Sequence, residues 1–179
     1  MTAEQISQIF GIFALVYVFI SMQTKNIRLI MICQIACNAF GAASYFCLPQ
    51  GFSGAVIFLV AVAQSIILLI FRCLDKDVPK WLNIIFVIGY ITASLLTFNE
   101  PLDTFPLVAA ILCAIGISQK NPKYYRIIML GNASTWLAYD IFVGAYTMLA
   151  THGFTVVSAL WGIIRFDVLK KKSKDTIEE

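Results

Sequence analysis

The sequence predicts an all-α, polytopic membrane protein, and three observations lead to that fold class. Of the 179 residues, 60% are hydrophobic and 13% are charged, against roughly half and a quarter in an average soluble domain. No charged residue occurs from residue 29 to residue 71, a run too long for one buried core helix. The Lys and Arg residues gather in alternate loops. Because the alternating pattern of a barrel strand is absent and lipid cannot hydrogen-bond the backbone, the spans are expected to be helices.

Seven apolar segments divide the chain, each near the roughly 20 residues that a helix needs to cross a bilayer. They cover residues 5–23, two spans within 29–71 that divide at 48–51, 81–98, 104–119, and two spans within 127–164 that divide near 143–145. Pro49 and Gly51 mark the first division and Gly144 the second. The fifth segment is the shortest and crosses the bilayer only if Lys120 snorkels to the interface.

The positions of the cations orient these spans. All thirteen Lys and Arg residues follow the odd-numbered spans, in the set Lys25, Arg28, Arg72, Lys76, Lys80, Lys120, Lys123, Arg126, Arg165, Lys170, Lys171, Lys172 and Lys174. Because cytoplasmic loops hold the Lys/Arg excess, the amino terminus is predicted outside and the carboxyl terminus in the cytoplasm. The tail is expected to lie against lipid headgroups. The mild excess of cations, 13 over 10 acidic residues, predicts no nucleic-acid partner.

An internal repeat appears when the second half is aligned with the first at an offset of 94 residues. Asn38, Tyr45, Phe52 and Ser53 then meet Asn132, Tyr139, Tyr146 and Thr147. The predicted domains are a first three-helix bundle in residues 1–74, a linker helix with its loops in 75–101, a second three-helix bundle in 102–168, and a cytoplasmic tail in 169–179. Since three is odd, the linker helix gives both bundles the same orientation, as in parallel repeats.

Several short motifs, in this order, resemble the YgjV family of bacterial inner-membrane proteins. They are Met1-Thr2-Ala3, Ser21-Met22-Gln23-Thr24-Lys25, the Asn38 to Tyr45 spacing, Trp136-Leu137-Ala138-Tyr139-Asp140 and Ile163-Ile164-Arg165-Phe166. The resemblance implies a location in the bacterial inner membrane. That family looks like a distant relative of the SWEET, PQ-loop and PnuC transporters, which implies a SWEET-like arrangement of three-helix bundles. The Pro-Gln pair of that superfamily is replaced here by Met22-Gln23 and Ser118-Gln119.

Polar residues form a stripe on each of two repeat-related spans. On the second span, Gln34, Asn38, Gly41 and Tyr45 fall within about a 60° arc. On the sixth, the stripe contains Asn132, Thr135, Trp136, Tyr139 and Asp140. One interpretation is a central solute site, in which Gln34, Asn38 and Asn132 hydrogen-bond a polar ligand beside the rings of Trp136, Tyr45 and Tyr139. The other is that these side chains only bond one helix to another.

Asp140 and His152 are the second feature of this region. Asp140 is the only carboxylate well inside an apolar segment, and His152 is the only histidine. If the seventh span starts near Ala145, both lie one to two turns from the outer surface and can pair. A paired imidazole that titrates near neutral pH would couple proton binding to solute movement. Two hydrated side chains near the interface are the alternative.

These patterns favour a carrier of a small polar solute, facilitated or proton-coupled, that works by alternating access. No enzyme motif, metal-ligand set or cofactor motif occurs in the sequence, so no enzyme activity, cofactor or metal is predicted. The alternatives are a non-transporting assembly or regulatory protein and, third, an intramembrane enzyme that uses Asp140 and His152. A carrier needs a cavity lined by Asn38 and Asn132, whereas a scaffold needs a close-packed centre. Both repeats lie in one chain, so a monomer is sufficient, and a homodimer is compatible with them.

Overall fold

The computed structural model describes residues 1–23, 26–117 and 122–164. These residues form seven α-helices and one 3-10 turn, with no strand among them, so the all-α prediction is confirmed. The helices are α1 (Ala3–Gln23), α2 (Ile27–Phe46), α3 (Phe52–Cys73), α4 (Lys80–Leu96), α5 (Thr104–Ile117), α6 (Pro122–Val143) and α7 (Tyr146–Ile163), and the 3-10 turn is Pro101–Asp103. The motif residues Thr24-Lys25, Ser118-Gln119-Lys120 and Arg165-Phe166, and the predicted tail, lie outside the described residues.

Local chemistry explains where these helices begin and end. The Asn26 side chain accepts a hydrogen bond from the Arg28 N–H at 3.0 Å and caps α2. Gly51 precedes α3, where a Cβ atom would lie 2.2 Å from the carbonyl oxygen of Tyr45, so this turn requires glycine. Gly144, between α6 and α7, has a φ of +76°, a left-handed conformation that glycine adopts without strain. Both predicted turn positions are therefore confirmed.

Within the described residues, three helices are long and apolar enough to cross a membrane by length and composition. These segments are Ala3–Ser21, Arg28–Phe46 and Phe52–Cys73. Shorter apolar stretches occur at Trp81–Leu96, Pro101–Ile115 and Ile127–Val143. Helices α4 and α5 are about as apolar as α3 or more so, but their described residues are fewer, 17 and 14. Helices α6 and α7 are less apolar because they carry polar side chains, among them Asn132, Asp140 and His152. Seven membrane spans stay a prediction.

The helices pack around a shared interior. Helix α2 packs between α1 and α3, and α6 packs between α5 and α7. Helix α1 also packs along α7, α3 meets α5, and α4 lies against both α3 and α5. Helices that follow one another in the chain alternate in direction, so the starts of α1, α3, α5 and α7 come together with the ends of α2 and α6. We call this the sealed end; the opposite end, which includes Arg28, Arg72 and Lys76, is the cation-rich end.

Candidate functional site

A cavity of about 470 Å³ occupies the interior and is lined by side chains from all seven helices. Towards the cation-rich end its lining includes Ser21, Gln34, Leu68, Met129 and Thr155. Towards the sealed end the lining includes Phe58, Trp136, Met148 and His152. The cavity therefore begins near the cation-rich end and stops at Phe58, Trp136 and Met148, before the sealed end is reached.

The lining combines apolar side chains with uncharged amide and hydroxyl groups. Amide side chains come from Gln34, Asn38, Gln64 and Asn132, and hydroxyl groups come from Ser21, Ser65, Thr151 and Thr155. No Asp, Glu, Lys or Arg lies among the described lining residues. Such a surface suits a neutral solute that exchanges hydrogen bonds with water for hydrogen bonds with amides.

The two repeat-related asparagines differ in how firmly they are held. Asn132 is buried and donates its amide N–H to the carbonyl oxygen of Ala109, on α5, at 2.6 Å. The Asn38 amide donates to the Ser65 hydroxyl on α3 at 3.5 Å, and its oxygen accepts from Gln34 at 3.4 Å. Bonds of that length are weak. Asn132 thus bridges two helices, while the Asn38 amide keeps bonding capacity for a ligand.

Aromatic rings close the cavity towards the sealed end. The Trp136 indole stacks on the His152 imidazole, with ring centroids 5.7 Å apart and an interplanar angle of 16°. Phe58 meets the indole edge-on at 5.0 Å. On its other side, Trp136 contacts Tyr45, with a centroid distance of 5.9 Å. The indole is the boundary between the cavity and the packed residues beyond it.

Beyond Trp136, Asp140 joins three helices. Its carboxylate accepts a hydrogen bond from the Tyr45 hydroxyl on α2, and its second oxygen lies 2.6 Å from Nδ1 of His152 on α7. Asp140 and Tyr45 are fully buried. Sequence analysis predicts that Asp140 and His152 can pair, and the structure places them in contact. The third partner, Tyr45, belongs to the other repeat.

Tyr139, on α6, is the repeat equivalent of Tyr45 and contacts the first half of the chain, as Tyr45 contacts the second half. Its hydroxyl donates to the carbonyl oxygen of Gln50 at 2.9 Å and accepts from the Gly54 N–H at 3.4 Å. The Ser53 hydroxyl lies 3.3 Å away. Tyr139 is fully buried, so each tyrosine fastens its own repeat to the other one. We call Tyr45, Tyr139 and Asp140 the seal.

Two further residues hold the sealed end and were not singled out by sequence analysis. Gln8, on α1, accepts from the backbone N–H and the hydroxyl of Thr147 at 2.9 and 3.0 Å and donates to the Gly144 carbonyl at 3.0 Å. Asp103 accepts from the Ser53 hydroxyl at 2.5 Å and from two backbone N–H groups, of residues 99 and 100, at 2.8 and 2.9 Å. The Glu100-Pro101-Leu102-Asp103 pattern resembles a capping box, and it could have drawn attention to Asp103.

The predicted site residues thus fall into two groups. Gln34, Asn38, Asn132, Trp136 and His152 line the cavity, whereas Tyr45, Tyr139 and Asp140 lie in the seal beyond it. Gln64 and Ser158 also correspond to each other at the offset of 94 residues. Gln64 is buried and accepts from the Tyr90 hydroxyl on α4 at 2.6 Å, which bridges two helices, while Ser158 is exposed.

The fold and the cavity define the class of protein: a helical membrane protein with an interior cavity that is lined partly by uncharged polar side chains. The chain belongs to the Imp-YgjV family, whose description is "bacterial inner membrane protein", because the family model matches residues 5–170. The resemblance to that family is therefore confirmed, and the protein belongs to the bacterial inner membrane. No curated protein and no solved structure matched the chain.

Proposed function

We propose that this protein is a carrier that moves a small, uncharged polar solute across the inner membrane by alternating access. The observation that carries the proposal is a polar cavity that runs from the cation-rich end and stops at the seal. A protein that admits solute from one side at a time needs such an arrangement. The polar lining argues against a purely structural centre, because unneeded polar groups in a membrane interior are costly.

The contacts between helices support a construction from two repeats. In the repeat, α1 corresponds to α5 and α3 to α7. The contact of α1 with α7 then corresponds to the contact of α5 with α3, and both pairs touch. The paired bonds at the sealed end follow the same rule, since Thr147 is held by Gln8 and its repeat equivalent Ser53 by Asp103. Seven spans, arranged as two parallel three-helix bundles with α4 as linker, complete the proposal.

The orientation follows from the cations. With the cation-rich loops in the cytoplasm, the amino terminus is periplasmic and the cavity communicates with the cytoplasm. The seal then faces the periplasm, and the structure corresponds to an inward-facing state. Transport requires the seal to open and the cation-rich end to close.

In this proposal the solute contacts the amides of Asn38, Gln34 and Asn132 and the ring of Trp136. We propose no enzyme activity and no cofactor for this site, which holds a solute and releases it unchanged. The carrier is facilitated or proton-coupled, and a monomer carries the complete cavity. A second candidate is a non-transporting membrane protein; the Asn132 bond to Ala109 favours it, because that amide serves helix packing.

A ligand screen by thermal shift tests the proposal. Purified protein is heated with neutral sugars, vitamins and nucleosides, and a true ligand at 100 times its Kd stabilises the protein by about 2.7 kcal/mol. Trp136→Leu and Asn38→Ala should lose that shift. Ser158→Ala, outside the cavity, should keep it. Uptake of the same compound into proteoliposomes must follow; a stabilising compound that is never taken up would instead support the non-transporting candidate.

A further inference from the structure

Asp140 is buried in the interior, where an ionised carboxylate needs a nearby positive charge. Its side chain is fully buried, and both carboxylate oxygens are occupied, one by the Tyr45 hydroxyl and the other by Nδ1 of His152. For both groups to donate, Asp140 must be ionised. A single buried carboxylate is expensive in a low-dielectric interior unless it is paired, and within the described residues His152 is its one potential cation.

We propose that Asp140 and His152 together bind one proton when the seal is closed, and that Tyr45 links this proton to the opening of the seal. The bound proton makes the imidazole a cation, so the buried pair is neutral as a whole. When the seal opens, the Tyr45 hydroxyl moves away from Asp140 and water enters. Water then stabilises the Asp140 carboxylate in place of the protonated imidazole, and the proton is released to the opened side. This inference rests on the proposed carrier function and specifies its coupling.

The arrangement belongs to one repeat only. The repeat equivalents of Asp140 and His152 at the offset of 94 are Phe46 and Phe58, neither of which can hold a proton. Tyr45 and Tyr139 are equivalent, yet only Tyr45 donates to a carboxylate. The two tyrosines can therefore be compared directly. The Tyr45 hydroxyl bonds the proposed proton site, whereas the Tyr139 hydroxyl only joins the two repeats.

Other titratable groups around the pair do not replace this role. From α2 these are Tyr45 and Cys37, from α6 Tyr139, and from the turn before α5 Asp103. Tyrosine and cysteine ordinarily titrate at higher pH than histidine. The Asp103 oxygens are taken by Ser53 and two backbone N–H groups. Helices α1 and α3 bring the buried Ser7, Ser53 and Phe58 to this end, none of which titrates, while Glu4 in the first turn of α1 is exposed.

The sign of the pH dependence follows. The closed seal holds one proton more than the open seal, so lowering the pH favours the closed state and raising the pH favours opening. One proton limits the change in the open-to-closed ratio to about tenfold per pH unit.

Thiol labelling of Ala55→Cys tests this, in a full-length variant whose five native cysteines are replaced by alanine. Ala55 is fully buried one residue after Gly54, which contacts Tyr139, so a membrane-impermeant maleimide should reach it only when the seal opens. At each pH, the labelling rate is divided by the rate measured for the same protein with Asp140→Asn. Because both proteins carry the same thiol, this ratio cancels the pH dependence of the thiol itself. We expect this ratio to rise as the pH is raised.

Three variants sharpen the result. Tyr45→Phe should give fast labelling with a flat ratio, whereas Tyr139→Phe should also label faster but keep the slope. His152→Phe, which copies Phe58 of the other repeat, should flatten the ratio as a second way of removing the proton. A ratio that is constant or falls with pH, or a slope lost in Tyr139→Phe and kept in Tyr45→Phe, overturns the inference. The labelling experiment needs no solute and is independent of the thermal-shift experiment. If the labelling ratio is flat while a ligand still stabilises the protein, the proton coupling is rejected and the carrier function is not.

Discussion

Among the described residues, each end of this molecule has one contact between a carboxylate and a basic side chain, and the two contacts differ in length and in burial. At the sealed end, His152 and Asp140 lie 2.6 Å apart, and the Asp140 side chain is fully buried. At the cation-rich end, Arg28 and Asp75 lie 3.9 Å apart, with 54% and 86% of their side-chain surfaces exposed. Water and salt screen the second pair, whereas the Asp140 carboxylate of the first is fully shielded from solvent by protein.

The other polar groups show a related contrast. Gln8, Tyr139 and Asp103 make bonds of 2.5–3.0 Å that join the two halves of the chain at the sealed end. In the cavity wall, Asn132 and Gln64 also have short bonds, both of 2.6 Å, but Asn38 has partners at 3.4 and 3.5 Å. The sealed end is thus fastened by short bonds, and the cavity keeps at Asn38 an amide that a solute can bind. Substitutions at the sealed end should therefore affect stability most, and substitutions in the cavity should affect binding.

The largest effect is expected for Asp140→Leu. The leucine leaves the Tyr45 hydroxyl and His152 Nδ1 buried without their partner, and breaking one side of a buried pair costs about 3 kcal/mol or more. Unfolding in detergent, followed by circular dichroism, measures the loss. Asp75→Asn is the control at the other end, and asparagine tolerates the positive φ of 49° at that residue. Equal stability of the two variants would contradict the contrast between the ends.

An intermediate effect is expected for Gly11→Ala. A Cβ atom there would lie 1.8 Å from the Thr147 hydroxyl oxygen, so Thr147 must move away from Gln8 or α1 must shift from α7. We expect a cost of about 1–3 kcal/mol, as for other overpacked sites. In Gly89→Ala, on α4, nothing lies within 4 Å of the added atom, and the better helix propensity should stabilise by up to about 1 kcal/mol. If both variants unfold alike, α1 and α7 do not pack as described.

The smallest effect on stability separates the two asparagines. Asn132→Ala removes the 2.6 Å bond to Ala109 and should cost about 0.6 kcal/mol, the average for a hydrogen bond between membrane helices. Asn38→Ala loses only long bonds and should cost less. For a ligand identified by thermal shift the order should reverse, with Asn38→Ala weakening binding more. Titration of both variants with that ligand checks this, and an unchanged Kd in Asn38→Ala would remove Asn38 from the site.

Much of the fold could be predicted, because apolar runs and turn residues are local signals. The first predicted span, residues 5–23, corresponds to α1 at Ala3–Gln23, and the fourth, 81–98, to α4 at Lys80–Leu96. The positions of Asn38, Asn132 and Trp136 on the cavity wall also follow the helical period. The separation of Tyr45 and Tyr139 from the cavity could not be predicted, since periodicity fixes a helix face but not which groups meet at a given depth.

The sequence by itself determined an all-helical membrane protein, its turns, its repeat, and an isolated carboxylate and histidine that lie close in the chain. Those features depend on hydrophobicity, backbone conformation and short separations, which residues carry individually. Only the tertiary structure decided that Tyr45 completes the Asp140 site from the other repeat and that Gln8 and Asp103 fasten the sealed end. Partners 95 and 139 residues apart leave no local pattern, because they meet only when every helix has found its neighbours.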